Sequence, residues 1–359
     1  MTDFARHELR VNVVWRGGRR VFVIRRAGAV EVDSVGPVID MFATQVSPGA
    51  TDYAVSTEST RLWSGAPVSG EAPLLYARPT QWESGYLLAR GVAGVAEDGY
   101  FVVDLAAGRT VISRHFLPPG ITLRRFSRAE SAGEDERAAA GSLMGVGGAV
   151  EHVVGATTLP ALRIGSISFD SADVLVLDSL SRIGGRPIAG VLGLDLMRRA
   201  TRLTISYPRG QSRAAVLTLG HSSRSLPRAR ARLPMSIASG HVFFRGVLGT
   251  LPVDLVLDSG SPYSFLSDRA AIIAGLDDLQ PAGTVSGLDG SAISVRIAKV
   301  PRLQLGETVY RGLSFHVARL PVFRGLGLTD PAGLLGNDFL ERFRVVEVDF
   351  ESRVLLLRP

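Results

Sequence analysis

The chain has 359 residues, a net charge of +6 and no cysteine. That length allows two or three domains, and 46% hydrophobic residues with a mean hydropathy of +0.20 describe a well-cored globular protein. The absent thiols exclude disulfides, a cysteine nucleophile and thiolate metal sites, and the scattered arginines carry no zinc-finger spacing, RNP-like aromatic motif or long basic helix, so no nucleic-acid partner is expected.

The 40 glycines and 19 prolines, among abundant Val, Leu and Ile, favour short strands and many turns. No apolar run is long enough to cross a membrane as a helix. Residues Met1 to His7 lack the apolar core of a signal peptide. The expectation is a cytoplasmic protein, or an exported one if the start is trimmed.

Residues 8–25 read as a β-hairpin, with Arg16-Gly17-Gly18-Arg19 as its turn. Residues 30–80 are rich in Ser, Thr, Pro and Gly and suggest strands and loops. Together, residues 1–79 are expected to form a β-rich N-terminal segment.

From about residue 80 the chain repeats itself. Ser84-Gly85-Tyr86 through Gly94 parallels Ser239-Gly240-His241 through Gly249. Tyr100-Phe101-Val102-Val103-Asp104 falls on Asp254-Leu255-Val256-Leu257-Asp258, and Thr110 to Ser113 on Ser264 to Ser267. Gly145 to Val150 then parallels Ser286 to Ser291, and Leu159 to Gly165 parallels Val300 to Gly306. Gly190-Val191-Leu192-Gly193 parallels Gly333-Leu334-Leu335-Gly336, and a hairpin closes each copy. The polar, basic stretch between the copies reads as a linker over 219–232, leaving a first copy at 80–218 and a second at 233–359.

Within each copy an apolar strand ends in an acid, Asp104 or Asp258. A carboxylate at the buried end of a strand needs donors or a partner. In the second copy Ser259, Gly260 and Ser261 follow and can supply hydroxyl and backbone donors. The later apolar-apolar-Gly lets a strand pass close to the acid loop, because glycine has no Cβ to obstruct it.

Asp258-Ser259-Gly260-Ser261 with Leu334-Leu335-Gly336 resembles the active-site loop and buried glycine strand of the aspartic proteases. Residues 80–359 are similar to a fused pair of retropepsin-like lobes, as in the bilobed pepsin-like enzymes. The resemblance implies a mostly-β, bilobed acid-protease-like fold of two β-barrel lobes, preceded by the N-terminal segment. It implies hydrolysis of peptide bonds by two facing aspartates at about 3 Å that share one proton and activate a water. No metal or cofactor is required, and the partner is a peptide or protein substrate. Asp258 and Asp104 become the candidate catalytic residues. Ser259, Gly260 and Ser261, with Gly287 and Leu288 of the second flap and Gly147 and Gly148 of the first, become candidates for substrate binding.

The first copy departs from the pattern. It offers Asp104-Leu105-Ala106-Ala107, where Leu105 lacks the hydroxyl that grips the opposing loop and Ala106 replaces a turn glycine. A second alignment sets Ala106-Ala107-Gly108 at the loop and leaves no acid there. Three readings follow: a monomer using Asp104 and Asp258, a homodimer using Asp258 from each chain, and a non-catalytic peptide-binding protein. The six histidines are isolated and lack metal spacing. Asp195 and Asp338, just past the buried glycines, are expected to cap the short helices that follow, and Asp289 to serve a turn.

Overall fold

A computed structural model describes residues 67–359 apart from 79–83, 95–98, 125–143, 146–147, 150–152, 209–213, 222–224, 239, 289 and 326–331, and three backbone strands before residue 67. The chain forms two compact units, Met1–Ala66 and Pro67–Pro359. In the first, β1 (Leu9–Arg16) pairs antiparallel with β2 (Arg19–Arg26), and β2 with β3 (Ala29–Val32). The first two are the hairpin expected over 8–25.

The second unit is almost all strand. Its first half runs β4 (Gly70–Ala77), β5 (Tyr86–Ala93), β6 (Gly99–Val103), β7 (Val111–Ser113), β8 (Met144–Gly145), β9 (Gly148–Ala149), β10 (Val153–Ile164) and β11 (Ile167–Leu177). It ends with β12 (Ile188–Leu192), helix α1 (Leu194–Met197), β13 (Arg202–Ser206) and β14 (Ala214–Leu219). The second half runs β15 (Ala231–Ala238), β16 (His241–Leu248), β17 (Leu251–Leu257), β18 (Phe265–Ser267), α2 (Asp268–Ile273), β19 (Gln280–Ser286) and β20 (Ala292–Val300). It continues with β21 (Leu303–Leu305), β22 (Thr308–Tyr310), β23 (Leu313–Ala318), α3 (Val322–Gly325), β24 (Ala332–Leu335), α4 (Asn337–Leu340), β25 (Val345–Asp349) and β26 (Val354–Arg358). None of the described helices is long and apolar enough to cross a membrane.

The repeat seen in the sequence is a repeat of pairing. Strand β6 runs parallel to β12, with Val103 opposite Leu192; β17 runs parallel to β24, with Leu257 opposite Leu335. Strand β7 pairs parallel with β11 and antiparallel with β12, and β18 does the same with β23 and β24. These parallel pairs bury both faces, which explains their continuous apolar runs. Phe101, Val102, Val103, Leu255, Val256 and Leu257 are all buried.

The two halves join through one antiparallel sheet in the order β4-β14-β13-β25-β26-β15. Strand β4 lies within the segment expected to end at residue 79, yet it pairs with β14 and β5 in the second unit. Its alternation buries Ala72, Leu74 and Tyr76 against the core, a signal that the surrounding Pro- and Gly-rich sequence conceals. At the centre of this sheet Glu347 is 1% exposed. It pairs with Arg202 of β13 at 3.2 Å and Arg358 of β26 at 2.7 Å, so one buried carboxylate ties the two halves.

Candidate active site

Each half delivers its acid in the same way. Asp104 N donates to Leu192 O at 3.1 Å as β6 ends, and Asp258 N donates to Leu335 O at 3.0 Å as β17 ends. Leu194 N then donates to Ala107 O (2.7 Å), and Asn337 N to Ser261 O (2.9 Å). These matched bonds set Asp104-Leu105-Ala106-Ala107 on Asp258-Ser259-Gly260-Ser261 residue for residue. The second alignment, which left the first loop without an acid, is therefore incorrect.

The buried glycines do what their position suggests. A Cβ on Gly336 would sit 2.2 Å from Tyr263 O, and one on Gly193 would sit 2.6 Å from the Arg109 carbonyl carbon. Only a bare Cα fits under each acid loop. A hydroxyl locks each crossing: Gly336 N donates to Ser264 Oγ at 3.0 Å, and Gly193 N to Thr110 Oγ1 at 3.0 Å. Those hydroxyls donate in turn to Asp338 Oδ1 and Asp195 Oδ1, both at 2.6 Å.

This corrects the expectation that Asp195 and Asp338 serve as helix caps. The N-cap positions belong to Gly193 and Gly336, and the acids sit in the first turns of α1 and α4. Burial raises the pKa of both, which fits a role inside the glycine crossing.

The two loops meet face to face. A Cβ on Gly260 would fall 2.2 Å from Asp104 Cγ and Oδ2, so the Asp104 carboxyl rests against the second loop's glycine. Asp104 Oδ1 accepts from Ala106 N at 2.8 Å and Ala107 N at 3.0 Å. Asp258 Oδ1 accepts from Gly260 N at 3.0 Å. Burial pushes Asp104 up to about 6, against the pull of its backbone donors. Burial and then the Asp104 charge push Asp258 well above the ordinary carboxylate range. Two acids whose charges oppose one another across such a gap titrate as a pair.

Half of the loop-to-loop grip is present. Ser259, fully buried, donates from Oγ to Val103 O at 2.8 Å and accepts from Leu105 N at 3.1 Å. Its hydroxyl therefore clamps the opposite loop instead of facing a substrate. Leu105 has no hydroxyl to return the bond, and its side chain is fully buried in the hydrophobic core that runs through both halves. Ser261 is also engaged, donating to Tyr263 O at 2.8 Å and accepting from Tyr263 N at 3.2 Å.

Asn337 braces the second loop. It is fully buried, donates from Nδ2 to Ser259 O and Gly85 O, both at 2.9 Å, and accepts from Tyr207 OH at 2.7 Å. The segment it holds, Ser84-Gly85-Tyr86, leads into β5 with the Tyr86 ring buried. Burial raises the Tyr86 phenol above its usual range, with the charges of Asp258, Tyr263 and Asp104 adding to the effect. Sequence reasoning assigned no function to Asn337 or Tyr86. The available signal was the repeat itself, which lines Ser84-Gly85-Tyr86 up with Ser239-Gly240-His241.

Both expected flaps have hairpin backbones. Strands β19 and β20 pair with Ser286 opposite Ala292, and Gly287 N closes the turn on Ser291 O at 2.8 Å. Leu288 at the tip packs against the first half's apolar cluster around Tyr86, Leu88 and Ile183, and its carbonyl accepts from Ser181 N at 2.9 Å. In the first half, Gly145 pairs with Gly148 across β8 and β9. Gly147 and Asp289 lie outside the described residues. A second apolar cluster joins the flap residues Val285, Ile293 and Val295 with Phe265 and Tyr263 and reaches Ala106 of the first loop. Apolar surfaces thus flank the paired acids on both sides.

Residues 244–339 match the family model described as aspartyl protease. No curated protein matches the chain. Among solved structures it is similar to basic 7S globulin from soybean and to conglutin gamma, a basic 7S globulin from lupine seeds. Each is 11% identical, covers 81% of this chain and 95% of its own, and gives a TM-score of 0.46. It is also similar to a retropepsin-like aspartic protease from Rickettsia conorii, at 19% identity over 35% of this chain and 86% of that one, with a TM-score of 0.26. The matched residues lie in the second half of the chain and take in its acid loop at Asp258 and its glycine crossing at Gly336.

Proposed function

We propose that the chain is an aspartic endopeptidase that works with one acid from each half, Asp104 and Asp258. The observation that carries this reading is the packing of the Asp104 carboxyl on Gly260, which sets it beside the Asp258 loop of the same chain. It favours a pair within one chain over a pair of Asp258 residues from two chains. Two backbone N–H groups on Asp104 Oδ1 favour the charge there, so the shared proton resides on Asp258.

In the reaction, ionised Asp104 takes a proton from a water as that water attacks the peptide carbonyl. Asp258 donates its proton to the carbonyl oxygen, giving a neutral tetrahedral intermediate. Asp104 then passes the proton it took to the leaving nitrogen while Asp258 takes one back from a hydroxyl of the intermediate, and the C–N bond breaks to give the carboxylic acid and the amine. The apolar clusters beside the acids suit extended, apolar peptide segments, with the β19–β20 hairpin excluding water. On this reading Gly287 and Leu288 act as lid residues, and Gly260 as the close-approach point for the opposite acid.

The test is cleavage of an unfolded protein substrate from about pH 3 to 7 by wild type, Asp258→Asn and Asp104→Asn. Both variants should retain the fold and lose activity by at least about a thousandfold. Wild-type activity in Asp104→Asn would remove it from the pair and return weight to a two-chain site. Absence of cleavage in the wild type at every pH would favour a non-catalytic peptide-binding protein.

A further inference from the structure

Asn337 departs from the twofold repeat of the chain. It opens α4 directly after Gly336, and the matching residue after Gly193 is Leu194, fully buried among apolar side chains. Its hydroxyl partner departs in the same way. Tyr207 follows β13, where its N–H donates to Arg344 O at 2.9 Å; Phe350 follows β25, where its N–H donates to Thr201 O at 3.0 Å. Tyrosine and asparagine thus stand where the matching positions hold phenylalanine and leucine. Two positions that are apolar in one copy are polar in the other, and together they make one buried hydrogen bond, Tyr207 OH to Asn337 Oδ1 at 2.7 Å.

That bond fixes which way the amide faces. With Oδ1 accepting from Tyr207, Nδ2 is turned to two backbone carbonyls, Gly85 O and Ser259 O, each at 2.9 Å. Gly85 is a firm anchor: its N–H donates to Tyr76 OH at 3.1 Å, and a Cβ on it would lie 2.5 Å from Ala77 O. Ser259 O is the acceptor that matters to the acids. It belongs to the same peptide group as Gly260 N–H, which donates to Asp258 Oδ1 at 3.0 Å. A donor on a carbonyl oxygen polarises the peptide and strengthens the N–H at its far side. The same peptide leads to the Gly260 Cα, the seat of the Asp104 carboxyl.

We propose that Asn337 is a positioning residue for both acids: its amide, oriented by Tyr207, holds the Ser259–Gly260 peptide so that the N–H stays on Asp258 and the bare Cα stays against Asp104. The proposal rests on the reading of Asp104 and Asp258 as a pair. Loss of the amide weakens a donor to ionised Asp258, so the upper of the pair's two midpoints rises. The titratable groups whose charges bear on Asp258 are the Asp104 carboxyl from the loop after β6 and the Tyr86 and Tyr207 phenols. Burial raises both phenols, so of these groups only Asp104 changes charge while Asp258 titrates.

The test compares the full-length wild type with two variants. Asn337→Leu installs the residue that the first half carries and removes both donors; Asn337→Ala replaces it if the larger side chain prevents folding. Tyr207→Phe removes the hydroxyl and leaves both Nδ2 bonds in place. Two quantities are read: the Asp258 titration by carboxyl carbon NMR, and kcat and KM against pH. In the donor-free variant the upper midpoint should rise by about 0.5–1 in pH, and the basic limb of kcat should follow it. Losing the hold of one hydrogen bond should lower kcat about three- to tenfold with KM nearly unchanged. In Tyr207→Phe the midpoint should stay within about 0.2 of wild type.

An upper midpoint or a kcat that stays at the wild-type value in the donor-free variant overturns the proposal, even where stability falls. So does a midpoint shift in Tyr207→Phe as large as in the asparagine variant, because the amide donors are then not what sets it. The two readings fail separately. An inactive wild type refutes the protease, while the NMR titration still decides what Asn337 does to Asp258.

Discussion

Replacing Gly260 with alanine tests the meeting of the two loops most directly. Gly260 is not among the glycines with positive φ, so its backbone can accept a side chain and the effect is steric. The new Cβ would stand 2.2 Å from Asp104 Cγ and Oδ2, while ordinary contact begins at 3.4 Å, so the carboxyl must retreat by 1.2 Å (3.4 minus 2.2). Its bonds from Ala106 N (2.8 Å) and Ala107 N (3.0 Å) have no slack for that movement. Overpacking of this kind costs roughly 1–3 kcal/mol, offset by about 0.4–1 kcal/mol from the stiffer unfolded chain. The net loss should be about 1–2 kcal/mol, small enough to leave the protein folded. A displacement near 1 Å in a reacting group costs on the order of a hundredfold in rate. The assays are urea unfolding and kcat on a fluorogenic peptide. A variant with kcat within about threefold of wild type would show that the Asp104 carboxyl does not depend on its seat against Gly260, and the reasoning would fail.

Ser259→Ala removes the clamp on Val103 O and Leu105 N; leaving those buried groups unpaired should cost about 1–3 kcal/mol by urea unfolding, and unchanged stability would mean the clamp is idle. Glu347→Leu leaves Arg202 and Arg358 without their buried partner and should cost about 3–5 kcal/mol, read as an earlier thermal midpoint. The pH dependence of stability follows from the shifts at the site. Asp104 and Asp258 are raised above their unfolded value, so the folded state holds protons more tightly and stability falls as pH rises through about 4 to 6 and beyond. His241 is lowered to about 4, so its burial costs stability as pH falls from about 6.5 to 4. Thermal melts across this range should show a flatter fall above pH 4 in Asp104→Asn and a smaller loss on acidification in His241→Gln; slopes equal to wild type would contradict the assignments.

The parts of this protein that were legible in the sequence are those fixed by backbone geometry. An apolar run ending in Asp, and later two apolar residues and a glycine, must recur wherever a strand crosses under an acid loop, and they recur here at Asp104 with Gly193 and at Asp258 with Gly336. The Thr110–Asp195 and Ser264–Asp338 bonds were less legible, because an acid early in a helix looks the same whether it caps backbone or accepts a buried hydroxyl. Strand β4 was missed because its alternation is short and sits beside a stretch without period. Asn337 was invisible for another reason. It reaches Gly85 across 252 positions, and no local pattern marks such a contact.

The lopsided grip has a physical consequence for how the site is held. When two separate chains form such a site, association has to overcome lost translational and rotational freedom, and every loop-to-loop bond contributes to it. In this chain the halves are covalently joined and share the sheet β4-β14-β13-β25-β26-β15, with the Glu347 cluster at its centre. The loops meet because the sheet has already brought them together, so a single serine can clamp them. Relaxing that demand frees position 105 to fill the core and position 106 to carry a Cβ. The first loop then needs a local support that a symmetric site would not. Within the loop, Ala106 N and Ala107 N supply it by donating to Asp104 Oδ1. The asymmetry in sequence between the loops therefore predicts an asymmetry in chemistry, with the charge on Asp104 and the proton on Asp258.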